Sequence, residues 1–286
     1  MNKDIKELNI DNATKIGEGM NGEVYRISDD TIVKLYRSNV SEEKIKKEKA
    51  LSRWAFVHGV PTAISFDIVR VGERYGLVFE LLNACAAPDY VKKSPSNLED
   101  YIVKSVNLMN TLHSIEVAPE ELPDMKRNHL KWIDTCRRYL PSDICDKLRM
   151  LVEEVPESHT LLHGDYHLKN IMMSGEELML IDMDTLCFGD PIFEMATMYN
   201  SYIEFPSLNP NAAFFLGIDV KTAKKIWDRT LELYLRDANG VDAADIVRKS
   251  LLLGCIRIMD FLDRHNELPD SESCLKVCAR DIKEAL

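Results

Sequence analysis

Residues 160–173 read TLLHGDYHLKNIMM, and the eight residues from His163 to Asn170 set two histidines, an aspartate, a lysine and an asparagine between apolar runs. Burial of a strand predicts few charges there. The H-x-x-x-H spacing of His163 and His167 would put both rings on one face of a helix and suggest zinc. Gly164 and the turn residues before it disfavour a helix, however, and no third ligand accompanies the pair. What remains is H-x-D-x-x-x-x-N, a spacing that a loop can fold so that Asp165 and Asn170 aim at one point. An aspartate so placed can accept a proton from an attacking hydroxyl. The asparagine oxygen is a hard ligand suited to magnesium.

Twelve residues after Asn170, the apolar stretch ELMLIDMD delivers Asp182 at a strand end, with Asp184 as the competing carboxylate on the same turn. A carboxylate there, near an oxygen-donor asparagine, can build a magnesium site that keeps waters and phosphate oxygens as its other ligands. Upstream, IGEGMNGEV holds Gly17, Gly19 and Gly22 as G-x-G-x-x-G followed by Val24. It lies between two strands, so a Rossmann site, which needs a helix after the glycines, is disfavoured. A glycine hairpin can instead fold over phosphates, because absent side chains let backbone N–H groups approach. Lys34 stands in TIVKLYR, with Val33 and Leu35 on the opposite face. Half-buried, it needs a carboxylate, which Glu48 on the following helix can supply; Glu43 is the weaker candidate. Taken singly, these features also read as a plain glycine hairpin, a surface lysine and a polar strand end.

Organisation along the chain supports the grouping. Between residues 13 and 82 lie five candidate strands (ATKIG, GEVYRIS, TIVKLYR, AISFDIVRV and YGLVFELL), broken by turns such as SDDT and VGERYG. One helix interrupts them, starting at Ser41 with two acids and stopping at Gly59 and Pro61. After ELLNACAAP the pattern turns helical. Ser96 and Glu99 suggest a capping box, and further helices are expected at about 126–140, 143–155, 191–204, 220–237, 242–265 and 271–285. Only the HGDYHLKN region and ELMLIDMD look strand-like in that half, and no repeat or low-complexity tract intervenes. The expected class is α+β: a β-rich N-terminal domain over residues 1–83 and a mainly helical one over 84–286.

In chain order, Gly17-x-Gly19-x-x-Gly22-x-Val24, Lys34, Glu48, His163-x-Asp165-x-x-x-x-Asn170 and Asp182 resemble the kinase signature set. The resemblance covers residues 16 to about 195 and is closest to the aminoglycoside phosphotransferase and choline kinase group. His167 stands where protein kinases usually have lysine, and only six residues separate Asp182 from Gly189-Asp190-Pro191, too few for an activation loop. No A-P-E motif follows, and NLMNTLHSI around His113 is similar to a helix of the small-molecule kinases. Glu194 replaces the group's usual loop-bracing aspartate.

The resemblance implies a two-lobed protein-kinase-like fold with ATP and Mg2+ as cofactors. It implies adenine against the backbone near Glu80 to Leu82, the Gly17 to Gly22 loop over the phosphates, and Lys34, held by Glu48, on the α and β phosphates. Asn170 and Asp182 would hold magnesium, and Asp165 would orient and deprotonate an acceptor hydroxyl. The alternatives are an atypical protein kinase without an activation loop and a non-catalytic nucleotide-binding regulator.

Composition narrows the partners. The 286 residues are 45% hydrophobic and carry a net charge of -11, all of it after residue 83: residues 1–83 hold 13 basic and 13 acidic side chains, residues 84–286 hold 23 and 34. This balance argues against nucleic acid, whose binding relies on basic side chains. It suits a small cationic acceptor such as an aminoglycoside, choline or another amino alcohol, drawn in by field focusing; a solvated surface that aids solubility is the plainer reading of the same acids, and a neutral sugar stays open as acceptor. Seven scattered cysteines without a C-x-x-C pair fit a reducing cytoplasm better than a disulfide framework. The polar N-terminus is unlike a signal peptide, and no apolar stretch is long enough to insert in a membrane. Trp227, Tyr234, Asp260 and Asp263 are the acceptor-contact candidates in the helical half; Trp227 and Tyr234, seven apart, suit core packing or a cation–π contact.

Overall fold

A computed structural model describes residues 5–208, 216–236, 242–266, 268 and 270–286. The chain divides into two units: one runs up to Cys85 and takes in Ile171–Asp184, the other comprises Ala86–Asn170 and Thr185–Leu286.

In the first unit, β1 (Lys6–Glu7), β2 (Thr14–Gly19), β3 (Gly22–Arg26), β4 (Thr31–Tyr36), β5 (Ser65–Val71) and β6 (Arg74–Glu80) form one sheet in the order β1-β5-β6-β4-β3-β2. The five strands expected from alternation are all present. The two-residue β1, which pairs in parallel with β5, gave no periodic signal because it is too short. Local chemistry makes the turns. Ser28 Oγ accepts from Asp30 N and Thr31 N between β3 and β4, and Gly72, at φ +58°, turns β5 into β6.

The helix α1 (Glu42–Val57) starts where Ser41 Oγ accepts from Lys44 N, and Gly59 at φ +81° follows its end. Tyr36 and Leu77 of the sheet bury against Ile45 of α1. Val33 and Leu35 bury on the other face, leaving Lys34 on the same side as Tyr36. The hairpin Ile171–Ser174/Glu177–Leu180 joins this unit through Leu180 N to Pro61 O (2.8 Å) and Ser174 Oγ to Asn83 O (3.2 Å).

The second unit is helical. Pro95–His113 is capped by Ser94, whose Oγ accepts from Asn97 N at 3.1 Å. The expected Ser96/Glu99 box does not form. Pro95 belongs at the first helical position, where its missing N–H costs nothing, and this moves the cap back to Ser94; Glu99 instead pairs with Arg229 Nε at 2.9 Å. Met125–Cys136, Ser142–Glu154, Val220–Tyr234, Ala243–Arg264 and Ser271–Ala285 follow the expected helices closely, although residue 237 lies outside the described residues.

The segment expected as one helix over 191–204 is instead Ile192–Tyr199, a π-helical turn Asn200–Glu204 and a last turn Phe205–Leu208. Pro206 has no N–H for the Tyr202 carbonyl, and the widened turn closes on Phe205 N to Asn200 O. Among the described residues no helix is long and apolar enough to cross a membrane.

Candidate active site

The loop His163–Asn170 follows the short strand Leu161–Leu162, paired antiparallel with Cys187–Phe188, and ends in a 3-10 turn at Leu168–Asn170. Gly164 sits at φ +77°, and a Cβ there would collide with the Thr185 carbonyl, so no other residue fits. Buried Glu194 braces the bend: Oε2 accepts from His163 N at 2.6 Å and Oε1 from Gly164 N at 3.1 Å. His163, fully buried, accepts from Asp165 N through Nδ1 at 3.3 Å. Its role is to shape the loop. Tyr202 OH accepts from Leu168 N at 2.8 Å, and Tyr166 OH donates to Ser105 O at 2.8 Å, anchoring the rest.

This scaffold presents Asp165, its side chain 38% exposed, to solvent. Asn170 Nδ2 donates to Asp165 Oδ2 and to its backbone oxygen, both at 3.0 Å, and His167 Nε2 lies 3.2 Å from Oδ2. The spacing of Asp165 and Asn170 therefore does bring the two side chains together. Asn170 Oδ1 has no hydrogen bond among the described residues and is the atom a hard cation would take. Arg257, from Ala243–Arg264, was not anticipated. It donates to the Gly164 carbonyl and stands 3.6 Å from Asp165 Oδ1. A lone basic residue inside the apolar run LLLGCIRIMDFL is the signal that marks it. Burial would raise the Asp165 pKa, but His167 and then Arg257 overcome it and hold the carboxyl below its usual range.

Glu194 titrates differently. Burial pushes it up to about 7 against the N–H bonds and Arg257. Its folded value lies above the ordinary 4.5, so its contribution to stability falls as pH rises from about 4.5 to 7. Glu194→Ala should orphan two buried N–H groups and lower the unfolding free energy by roughly 2–6 kcal/mol, with a shallower pH slope across that window. Denaturant unfolding at several pH values measures both, and a loss under about 1 kcal/mol would remove the bracing role.

In the first unit, Lys34 Nζ donates to Glu48 Oε1 and to Asp182 Oδ1, each at 2.8 Å, with the Tyr36 ring 5.4 Å away. The expected Lys34–Glu48 pair is present, and Glu43 takes no part in it. Burial lowers the Lys34 pKa, but Asp182 and Glu48 more than reverse this, so the ammonium stays charged. Asp182 sits at φ +64°, a left-handed conformation that aspartate tolerates and that aims its carboxylate at Lys34.

Glu48, Asp182 and Asp184 bring carboxylate oxygens within 4.8 Å of one another. One ammonium faces three acids. Burial, then Asp182 and Glu48, push Asp184 up to about 7. The donor set fits magnesium.

The three glycines differ in what they do. A Cβ on Gly22 would collide with the Leu35 carbonyl, so Gly22 serves strand packing; nothing lies within 4 Å of one on Gly19, and Gly17 has ordinary contact with Val24. Gly19 is the position open to a phosphate. At the end of β6, Glu80 N donates to Ile64 O and Leu81 N to Asp30 O, whereas Leu82 N donates to no described residue.

A model of the phosphotransferase enzyme family matches residues 12–230. The chain belongs to that family. Its fold is shared with a choline/ethanolamine kinase family protein from Mesorhizobium loti (14% identity, 96% of this chain and 87% of that one, TM-score 0.62). It is also shared with a putative fructosamine-3-kinase from Haemophilus somnus (12%, 96% and 90%, 0.61). A third is the streptomycin-ATP-APH(2")-IIa ternary complex (16%, 87% and 84%, 0.56). No curated protein matches. The enzyme is a phosphotransferase.

The acceptor candidates of the helical half are engaged elsewhere. Trp227 is 3% exposed and packs edge-on to Tyr199 at 5.3 Å, and Tyr234 OH bonds His113 Nδ1 at 3.0 Å. Asp260 accepts from Thr135 Oγ1 and Arg264 Nε, and Asp263 from Arg138 and Tyr139. Trp227 packs in the core, whereas half-buried Tyr234 is tied to His113.

Proposed function

We propose that this enzyme transfers the γ-phosphoryl group of ATP to a hydroxyl of a small cationic acceptor, an aminoglycoside, choline or similar amino alcohol. The observation that carries the reading is Asp165, ionised and part-exposed on a loop whose backbone Glu194 and Arg257 hold. Asp165 would accept the acceptor's hydroxyl proton and orient its oxygen for in-line attack.

Lys34, kept charged by Glu48 and Asp182, would bind the α and β phosphates. The backbone at Gly17, Gly19 and Gly22 would cover them, with Val24 beneath the nucleotide, and the N–H of Leu82, after Glu80, would meet adenine. Magnesium, when bound, neutralises charge on the phosphates. Asn170 and Asp182 would each offer it an oxygen.

The acidic excess after residue 83 supports a cationic acceptor, as do relatives of the same fold named for choline or ethanolamine and for streptomycin. ATP consumption measured across aminoglycosides, amino alcohols and neutral sugars tests this. At least one cationic acceptor should stimulate turnover by roughly tenfold or more over basal hydrolysis. Stimulation by neutral sugars alone would overturn the cationic class, and none by any small molecule would overturn the transfer reading.

A further inference from the structure

Glu204, Cys255 and Cys278 meet in the second unit, and phosphoryl transfer makes no use of them. Their carboxylate oxygen and two thiol sulfurs lie within 4.8 Å of one another, and all three residues are buried. Cys255 Sγ stands 3.8 Å from Glu204 Oε1.

Local structure builds the cluster. The π-helical turn Asn200–Glu204 ends on Glu204, turning its side chain out of the register an unbroken α-helix would impose. Gly254 has no room for a side chain, since a Cβ would collide with Asn200 Oδ1, and Asn200 Nδ2 donates to the Gly254 carbonyl at 3.1 Å. Ala243–Arg264 is thereby drawn against the π turn, and the next residue, Cys255, arrives at Glu204. Cys278 comes from Ser271–Ala285.

Among the described residues, no cationic side chain pairs with Glu204, which is 3% exposed. Arg280 is engaged by Asp281 at 2.7 Å. An acid buried beside two thiols without a counter-charge is costly.

We propose that Glu204, Cys255 and Cys278 bind a thiophilic divalent cation of the zinc class, with Asp281 or water as the fourth ligand. Tetrahedral ligation at about 2.3 Å to sulfur and about 2.0 Å to oxygen places those atoms about 3.5 Å apart, close to the spacing already present. Each thiol releases its proton to solvent as its metal–sulfur bond forms. The ion would staple three helical segments and take no part in the reaction.

Titration of the chelator-treated full chain with Co2+ alone tests the site. One equivalent should bind with a sulfur-to-cobalt charge-transfer band, Zn2+ should displace it, and Tm should rise by roughly 5 °C or more at saturating metal. The band should be lost in Cys255→Ser and Cys278→Ser and kept in Cys274→Ser. No band in the wild type, or its retention in both of the first two variants, overturns the proposal. So does an intact mass two hydrogens below the reduced chain, which would mean a Cys255–Cys278 disulfide. Should a cysteine variant not fold, Glu204→Gln keeps both thiols and is expected to bind Co2+ at least about tenfold more weakly; unchanged affinity overturns the site.

Discussion

Replacing Asp165 by alanine is expected to lower kcat by on the order of 10² to 10⁴, while ATP affinity changes by no more than a few-fold. The loop should survive the change, because Asn170 Nδ2 keeps its second bond, to the Asp165 backbone oxygen at 3.0 Å, and Glu194 still holds His163 N and Gly164 N. What is lost is the one part-exposed carboxylate oxygen pair on the loop, flanked by His167 at 3.2 Å and Arg257 at 3.6 Å.

Those neighbours hold its pKa low, so Asp165 is a weak base. That suits a loose phosphoryl-transfer transition state, in which the hydroxyl keeps its proton until late and alignment matters more than basicity. A corollary is that Asp165 imposes no acid limb on the kcat/KM profile within or above the usual carboxylate range. Steady-state kinetics with an accepted substrate and calorimetry with ATP separate the two effects. Near wild-type turnover in the variant would end the assignment.

Much of this was open to sequence reasoning because it depends on short-range pattern. Alternation exposed the five longer strands, and Ser41 with Gly59 bounded α1, since caps and left-handed glycines are local devices. The misses have two sources. Ser94 rather than Ser96 caps its helix because a proline preference outranks a box-like spacing. The π turn at Asn200–Glu204 answers to Pro206 and to packing against Gly254, and the second of these is a tertiary contact without a periodic trace.

The site divides in the same way. Asp165, Asn170, Lys34, Glu48 and Asp182 could be picked out because each pairing is a side chain at a motif spacing, and the pairs Lys34–Glu48 and Asp165–Asn170 do form. Arg257 lies 92 residues from Asp165 and reaches it through helix packing, so only its oddness within an apolar run hinted at a role. The glycines also needed coordinates to be told apart. Gly22 is required by the Leu35 carbonyl whether or not a nucleotide binds, whereas Gly19 has open space around it. The wide separation of Trp227 from Tyr234 in role, one against Tyr199 and one on His113, could not be read from their seven-residue spacing.

The metal assignment has the sharper test, because Asp182 can be changed without disturbing its backbone. Its φ of +64° is tolerated by asparagine about as well as by aspartate, whereas alanine would add strain of about 1–2 kcal/mol. Asp182→Asn therefore removes charge alone. Lys34 keeps Glu48 at 2.8 Å, so the ammonium remains in place for the phosphates and metal-free ATP binding should change little. The magnesium-dependent part of the affinity should fall by on the order of 10²-fold, since a charged oxygen ligand is worth several kcal/mol to a hard divalent ion. Calorimetry with ATP, with and without Mg2+, reads the difference directly.

Asp184 supplies the internal control. It shares the carboxylate cluster with Glu48 and Asp182, and its pKa of about 7 falls when a cation arrives beside it, so binding of Mg2+ should release protons near neutral pH. If Asp182→Asn leaves Mg-ATP affinity unchanged and Asp184→Asn abolishes it, the ligand is Asp184 and the assignment moves along the turn. If neither variant weakens it, the cluster does not hold the metal.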